Sequence, residues 1–155
     1  MTEHFNEDKA VARLAEILAL KCGIHPITAR QIRIAARLHD IGKQRIDPGI
    51  VQKPGKLNER EFAIMKTHTI LGAQMMSSLR GSIGEVITNT CLYHHEIWGG
   101  GGYLGKSAAD VPGYVFIHIS GIARRGIINV DGHSRIWYNH NIADGGNNQW
   151  IYKRY

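Results

Sequence analysis

The segment His39-Asp40-Ile41-Gly42-Lys43 says more about the fold than any other part of this sequence. It ends an apolar helical pattern, which puts a histidine ring and a carboxylate side by side at a helix end. An imidazole nitrogen and a carboxylate oxygen together form a chelate that suits a first-row transition metal. A capped helix end without a metal is the alternative interpretation of this pair, and the surrounding sequence favours the metal.

Three further histidines, His68, His94 and His95, also lie at the ends of helical patterns. His94 extends the apolar stripe of a predicted helix by one turn, so its ring is predicted to point into the protein. A buried histidine needs a hydrogen-bond or metal partner. Convergence of these rings with His39 and Asp40 on one ion is the simpler interpretation, because helix bundles often build metal sites from facing helices. With a lysine nearby, the set indicates metal-assisted phosphoester hydrolysis.

The composition is typical of a single soluble globular domain. The chain has 155 residues, of which 43% are hydrophobic, enough for one core. Its apolar runs are too short for a membrane span, and its first residues lack a signal-peptide pattern. The isolated Cys22 and Cys91 are predicted to be reduced core residues and not a disulfide or zinc site. We therefore expect a cytoplasmic protein without membrane insertion.

The formal net charge of +6 could suggest a nucleic-acid partner, but the distribution of charge argues against one. Basic residues are scattered singly, and no helix face carries a Lys/Arg stripe with interleaved aromatic residues. A nucleic-acid polymer is therefore not expected as a partner. A general positive field that favours small anionic substrates is the most that this charge implies, and an ordinary solvated surface is the alternative.

Hydrophobic spacing predicts an all-α domain with four helices. A long loop with two Pro-Gly pairs separates the second helix from the third, and Asn58 with Glu61 forms a capping-box pattern at the start of the third. The predicted helices cover about Glu3–Cys22, Pro26–Gly42, Asn58 to beyond Gly72, and about Ser82–His95. Their predicted inner faces are Val11, Leu14, Ile17, Leu18 and Cys22; Ile32, Ala35, Ala36, Leu38 and His39; Phe62, Met65, His68 and Gly72; and Ile83, Val86, Ile87, Thr90 and Cys91.

Four motifs in order make the chain resemble the HD-GYP subfamily of the HD-domain phosphohydrolases, bacterial enzymes that hydrolyse cyclic di-GMP. They are H-D-I-G-K, K-P-G-K-L, M-K-T-H-T-x-x-G and H-H-E-x-W-x-G-x-G-Y, and the resemblance covers residues 3–117. It implies a helical HD-domain bundle with one to three iron or manganese ions. It also implies that a metal-activated hydroxide opens cyclic di-GMP to pGpG or onward to GMP. A cyclic dinucleotide is thus the expected partner, and a homodimer or a signalling-domain partner is left open.

The resemblance also assigns roles to individual residues. Asp40 is expected to bridge two metals, and Lys43 to steady a substrate phosphate, so these two are the catalytic candidates. Tyr103 matches the tyrosine of the G-Y-P element, which is a substrate-side contact. Glu3 lies where trinuclear members carry a glutamate ligand, and Glu7 stands where the family has its first metal-binding histidine. The implied metal ligands are Glu3, Glu7, His39, Asp40, His68, His94 and His95.

The chain departs from the family pattern in two places. The D-G-x-G-Y-P element reads Gly99-Gly100-Gly101-Gly102-Tyr103-Leu104 and lacks both its aspartate and its proline. No strand precedes this glycine run, so an active-site loop is a better interpretation of it than a phosphate cradle. The helix expected after Pro112 should carry an aspartate ligand about ten residues on, where this chain has Gly121 and Ile122.

From His118 onward the sequence is rich in Gly, Asn and Trp, and the resemblance ends. Alternation through Val115, Ile117 and Ile119 indicates a short strand at most. We therefore predict an incomplete HD-GYP-like domain over residues 1–117, followed by a divergent or non-homologous, irregular tail over residues 118–155. The expected function is a phosphodiesterase with impaired activity. The alternative is a catalytically degenerate binding or scaffold module, while hydrolysis of a nucleotide monophosphate or (p)ppGpp is disfavoured by the adjacent histidines.

Overall fold

The computed structural model describes the backbone of residues 2–122, 129–130, 133–139 and 150–154, and the side chains of residue 9 and residues 11–117. The described part of the chain is mostly helical, as the sequence predicts. None of its helices is both long and apolar enough to cross a membrane. The helices are α1 (Thr2–Lys21), α2 (Pro26–Leu38), α3 (Pro48–Val51), α4 (Glu59–Lys66), α5 (His68–Met76), α6 (Gly81–Tyr93) and α7 (Gly113–Ile122), with a 3-10 helix at Ile41–Arg45.

Helices α1 and α2 pack against each other, and most of their buried residues are alanines. In α1 the expected stripe is only partly correct, because Leu18 packs against the core while Ile17 remains 41% exposed. Side chains this small let two helix axes approach closely, since the distance between axes depends on the residues at the contact. The buried alanines are Ala12, Ala15 and Ala19 on α1 and Ala29, Ala35 and Ala36 on α2. We call these six residues the alanine interface.

The predicted third helix is two helices, α4 and α5, which meet at Thr67. The capping box is confirmed: Asn58 accepts a hydrogen bond from Glu61 N, and Glu61 accepts one from Asn58 N. At the junction, the Thr67 hydroxyl donates to Ile64 O at 2.7 Å. Since the chain does not continue as one helix, Phe62 and His68 do not share an inner face. The Phe62 side chain is 43% exposed, contrary to the prediction, whereas His68 is 1% exposed.

Helix α6 follows its prediction closely. Val86, Ile87, Thr90 and Cys91 are all buried, and the stripe continues to His94, which is buried as predicted. The long loop before α4 is not irregular throughout, because it contains the 3-10 helix and α3. Asp47 begins α3 by accepting a hydrogen bond from Gly49 N at 2.7 Å.

Helix α7 replaces the short strand that the alternation around Val115, Ile117 and Ile119 suggested. This segment is helical, and Val115 and Ile117 are both buried. The alternation is uninformative here because the whole segment is apolar, so a helix can bury it equally well. The tail, expected to be irregular, contains β1 (Asn129–Val130), β2 (His133–Asn139) and β3 (Trp150–Arg154), which pair antiparallel in the order β1-β2-β3.

Candidate metal centre

Four of the predicted ligands come together because three helix ends meet. His39 caps the C-terminus of α2 and Asp40 follows it, while His68 is the first residue of α5 and His94 caps the C-terminus of α6. The three histidine rings are buried. His95 comes next in the chain, and its ring centroid lies 4.3 Å from that of His94 and 5.1 Å from that of His68.

Two glycines allow this approach. Gly42 of the 3-10 helix faces the backbone of α5 so closely that a Cβ there would overlap the carbonyl oxygen of His68. The same Cβ would lie 2.5 Å from the backbone nitrogen of Gly72, and a Cβ at Gly72 would lie 3.3 Å from Gly42 N. The glycines of the H-D-I-G-K and M-K-T-H-T-x-x-G motifs therefore form one contact. It holds Asp40 next to His68.

The donor atoms surround the Asp40 carboxylate. Asp40 Oδ1 lies 3.2 Å from His68 Nε2 and 3.5 Å from His94 Nε2, and Asp40 Oδ2 lies 3.2 Å from His39 Nε2. One ligand atom from each of Asp40, His68, His94 and His95 can be chosen so that all lie within 4.8 Å of one another. Imidazole nitrogens with a carboxylate oxygen form a donor set that divalent transition metals accept. His39 adjoins this group through its contact with Asp40.

The hydrogen bonds of the rings orient their lone pairs toward this point. Nδ1 donates to Ala36 O at 2.8 Å in His39, to Met65 O at 2.7 Å in His68 and to Cys91 O at 2.9 Å in His94. A carbonyl oxygen can only accept, so Nδ1 carries the hydrogen and Nε2 of each neutral ring carries the lone pair. Metal-ligating histidines are usually held by this kind of bond.

Two observations fit a cation in this space. The Nε2 atoms of His68 and His94 are 3.1 Å apart, where two neutral lone pairs repel unless a proton or a cation lies between them. Asp40 Oδ1 is buried and accepts no hydrogen bond within the described part of the chain. A buried carboxylate oxygen without a partner is costly, and a metal ion would satisfy it. The donor set therefore fits a divalent metal.

The charges of the site follow from burial and from Asp40. Burial opposes the charged form of Asp40, but the interactions with the adjacent rings of His39, His68 and His94 hold its pKa far below its ordinary value. Burial also acts against protonation of His39, yet the hydrogen bond and the charge of Asp40 raise the pKa of His39. For His95, burial and the charges of His94 and His68 lower the pKa to about 3. His39 thus favours a proton, whereas His94 and His95 favour the neutral, ligating form.

The two predicted substrate residues lie beside this cluster. Lys43 Nζ donates to Asp40 Oδ2 at 2.6 Å, so its ammonium group is next to the carboxylate and half-buried. The ring of Tyr103 stacks on His95, with centroids 4.2 Å apart and planes inclined by 17°. Tyr103 also meets Phe62 edge to face at 5.9 Å, and Lys66 Nζ lies 5.2 Å from the Phe62 centroid.

The sequence analysis gave no role to Glu96, although this residue follows the histidine pair in the quoted motif. Its side chain is 3% exposed and accepts hydrogen bonds from Leu104 N at 2.8 Å and Lys106 N at 2.6 Å. A charged residue directly after His94 and His95, ahead of a glycine-rich loop, was the available signal. The glycine run is indeed a loop.

Two predicted ligands have side chains outside the described residues. Glu3 and Glu7 belong to α1, whose backbone is described there, but their side chains are not. Where the family pattern has an aspartate ligand about ten residues after Pro112, this chain has Gly121 and Ile122, the last two residues of α7. The predicted roles of Glu3 and Glu7 therefore remain predictions.

Comparison with known proteins agrees with the fold. Residues 9–123 match the family model described as "HD domain". The chain is 38% identical over 111 residues to a "Cyclic di-GMP phosphodiesterase" of Thermotoga maritima, which covers 71% of this chain and 30% of the relative. It is 36% identical over 100 residues to a "3'3'-cGAMP-specific phosphodiesterase 2" of Vibrio cholerae, covering 64% of this chain and 19% of the relative. The chain thus spans less than a third of these curated relatives.

A solved structure has the same fold. It is "Bd1817, a HDG"Y"P protein from Bdellovibrio bacteriovorus", with a TM-score of 0.64 and 24% sequence identity. The likeness covers 80% of this chain and 40% of that one. The helical bundle predicted from the sequence is therefore confirmed.

Proposed function

Because this chain belongs to the HD-domain family, and within it to the HD-GYP subfamily, we propose that it is a metal-dependent phosphodiesterase of cyclic di-GMP that yields pGpG or GMP. The observation that carries this proposal is the convergence of imidazole Nε2 atoms on the half-buried carboxylate of Asp40, whose Oδ1 is buried. The names of the relatives supply the substrate class, since they act on cyclic di-GMP or 3'3'-cGAMP.

In this proposal Asp40, His68, His94 and His95 hold a divalent ion, with His39 beside them. Nitrogen donors with a carboxylate suit iron or manganese, and we propose one to three such ions. Glu3 and Glu7 are the proposed additional ligands. When bound, the metal supplies Lewis acidity toward a phosphate oxygen and activates a water molecule.

The protein side chains would position the substrate. Lys43 brings a positive charge within 2.6 Å of Asp40 Oδ2. There it can neutralise a phosphate oxygen that binds at the metal that Asp40 would hold. Tyr103 presents an aromatic ring next to His95 and is our proposed substrate contact. We assign catalysis to residues 1–117 and treat residues 118–155 as a divergent tail. The described cysteines are free thiols, which agrees with a cytoplasmic location.

A second function is supported by one specific difference. Gly121 and Ile122 stand where the family carries an aspartate ligand, and neither side chain can bind a metal. A chain that keeps the fold and binds a cyclic dinucleotide without hydrolysing it would act as a binding or scaffold module. As such it would act through a homodimer or a signalling-domain partner.

Hydrolysis and binding measurements separate these functions. The protein is purified without chelators and under anaerobic conditions, loaded with Fe(II) or Mn(II), and assayed with cyclic di-GMP and 3'3'-cGAMP. Asp40→Asn should abolish hydrolysis and reduce bound metal. Asp47→Asn is the matched control, because Asp47 is exposed and asparagine can still cap α3. Binding without turnover would favour the scaffold module. If the metal-loaded protein shows no binding and no turnover, both proposed functions are overturned.

A further inference from the structure

The buried carboxylate of Glu96 closes a loop onto the proposed metal centre. Its two oxygens have different partners on the same segment, because Oε1 accepts from Leu104 N and Oε2 accepts from Lys106 N. Hydrogen bonds to an ionised acceptor are stronger than those between neutral groups. Both lie within a loop that starts directly after Glu96, so this one side chain fixes where residues 97–106 return to the histidines.

Gly102 makes the return possible at close range. A Cβ at this position would lie 2.5 Å from Glu96 Cα, 2.5 Å from His95 O and 2.8 Å from Glu96 Oε1. Only glycine therefore lets the loop lie against the backbone of His95 and Glu96 at this point. Gly99, in the same glycine run, has nothing within 4 Å of an added Cβ and makes no such contact.

Tyr103 lies between these two constraints in the sequence. Gly102 precedes it and Leu104 follows it, and both neighbours are held against His95 and Glu96. The ring of Tyr103 is left stacked on His95 at 4.2 Å and within 6.2 Å of His68. The loop anchor therefore fixes the backbone on both sides of this ring.

We propose that Glu96 is a positioning residue, which clamps the loop of residues 97–106 so that Tyr103 is presented to the substrate beside the metal centre. This inference rests on the proposed function for its substrate. The clamp itself consists of the Glu96 carboxylate, the two backbone N–H groups and the close contact at Gly102. Loss of the clamp should weaken substrate binding and leave metal binding unchanged.

Glu96→Gln tests the clamp. The glutamine amide has one oxygen that can accept a hydrogen bond. Its NH2 group can only donate, so one of the two backbone N–H groups loses its acceptor. We expect faster hydrogen exchange at the amides of Leu104 and Lys106 and an unchanged metal content. We also expect a KM for cyclic di-GMP about tenfold higher at a similar kcat, as for the loss of one hydrogen bond to a charged group. Glu85→Gln, on the exposed face of α6, is the matched control and should change none of these.

A double-mutant cycle shows whether Glu96 acts through Tyr103. If it does, Glu96→Gln should change KM by less than about twofold once Tyr103→Leu has removed the ring, because the two effects are then coupled. Gly102→Ala provides an independent variant, since it leaves Glu96 intact and displaces the loop. Gly102→Ala should show the same rise in KM, and it replaces Glu96→Gln as the test if that variant does not fold.

Three results would overturn the inference. Unchanged exchange at Leu104 and Lys106 in the Glu96→Gln variant would mean that no clamp exists. Loss of metal with an unchanged KM would make Glu96 a support for the ligands and not for the loop. Additive effects with Tyr103→Leu would show that Glu96 does not act through Tyr103.

If the unmodified protein neither binds nor hydrolyses cyclic di-GMP, the proposed function fails. The exchange rates and the NMR shifts of the Tyr103 ring then still decide whether Glu96 positions that ring.

Discussion

The alanine interface and the histidine cluster are both buried and share helix α2, yet they are built from opposite chemistry. The six alanines have no polar side-chain atoms and stabilise the bundle by burial, while Arg33 and Glu16 form an ion pair between α2 and α1 where the side chains reach solvent. At the end of α2, the chain instead buries three imidazoles around one carboxylate. The first arrangement stabilises the metal-free protein, whereas the second is costly until a cation joins it.

Enlarging the alanine interface should have the largest effect on stability. Ala35 is fully buried in the hydrophobic core, so the larger side chain of Ala35→Leu forces α2 away from the helices packed on it. We expect the free energy of unfolding to fall by about 3 kcal/mol, the upper end of the overpacking range. Urea denaturation of the metal-free protein measures this. Ala63→Leu on the exposed face of α4 is the control. Equal stability of the two variants would contradict the close packing.

The contact between Gly42 and α5 is a close packing contact that also holds Asp40 next to His68, so its disruption should affect both stability and metal binding. Gly42→Ala should lower the free energy of unfolding by about 2 kcal/mol, because the new methyl group meets backbone that cannot rotate away. It should also reduce the bound metal by moving Asp40 away from His68. Gly99→Ala, where an added methyl group meets open space, should change neither. Full metal content in Gly42→Ala would show that the site tolerates the displacement.

Removal of a ligand should separate metal binding from stability. His68→Ala should lower metal affinity at least tenfold, while the free energy of unfolding of the metal-free protein should change by only about 1 kcal/mol. The small change is expected because relief of the 3.1 Å contact between His68 and His94 offsets lost packing. His25→Asn is the control, since His25 is exposed and asparagine can still cap α2. A stability loss as large as that of Ala35→Leu would mean that the cluster is part of the stabilising core.

The smallest effect concerns protonation and leaves the fold intact. In the metal-free protein, an NMR titration should find the pKa of His39 above the ordinary histidine value and that of His95 at about 3. Asp40→Asn should lower the pKa of His39, because burial then acts without the opposing charge of Asp40. An unchanged titration of His39 would show that Asp40 does not set its charge.

The sequence was most informative where residue type and helical periodicity lead to the same prediction. His94 could be assigned to the interior because a helical stripe continues through it, and that assignment is correct. Ala35 and Ala36 of the alanine interface were correctly predicted on an inner face. The three alanines of α1 were not, since periodicity gives most weight to large residues such as Ile17, while close packing selects small ones. Helix periodicity also continues through Thr67, so the break that exposes Phe62 could not be predicted from spacing.

Glu96 shows a different limit of sequence analysis. Its hydrogen bonds join backbone atoms eight and ten residues away, and no periodic pattern marks such a contact. The glycine run was correctly interpreted as a loop, but its anchor depends on the three-dimensional return of the chain. Predicted roles for Glu3 and Glu7 stay predictions, as their side chains lie outside the described residues.

The position of the ligands at helix ends has an electrostatic consequence. His39 and His94 cap the C-termini of α2 and α6, whereas His68 begins α5. A helix C-terminus carries the equivalent of about −0.5 of an elementary charge, and an N-terminus carries the opposite. Asp40 also begins the 3-10 helix, so two negative ends face two positive ends and their backbone potentials largely cancel. The charge that attracts a cation to the cluster is therefore that of the Asp40 carboxylate, and some affinity for divalent ions should persist after one neutral histidine is lost.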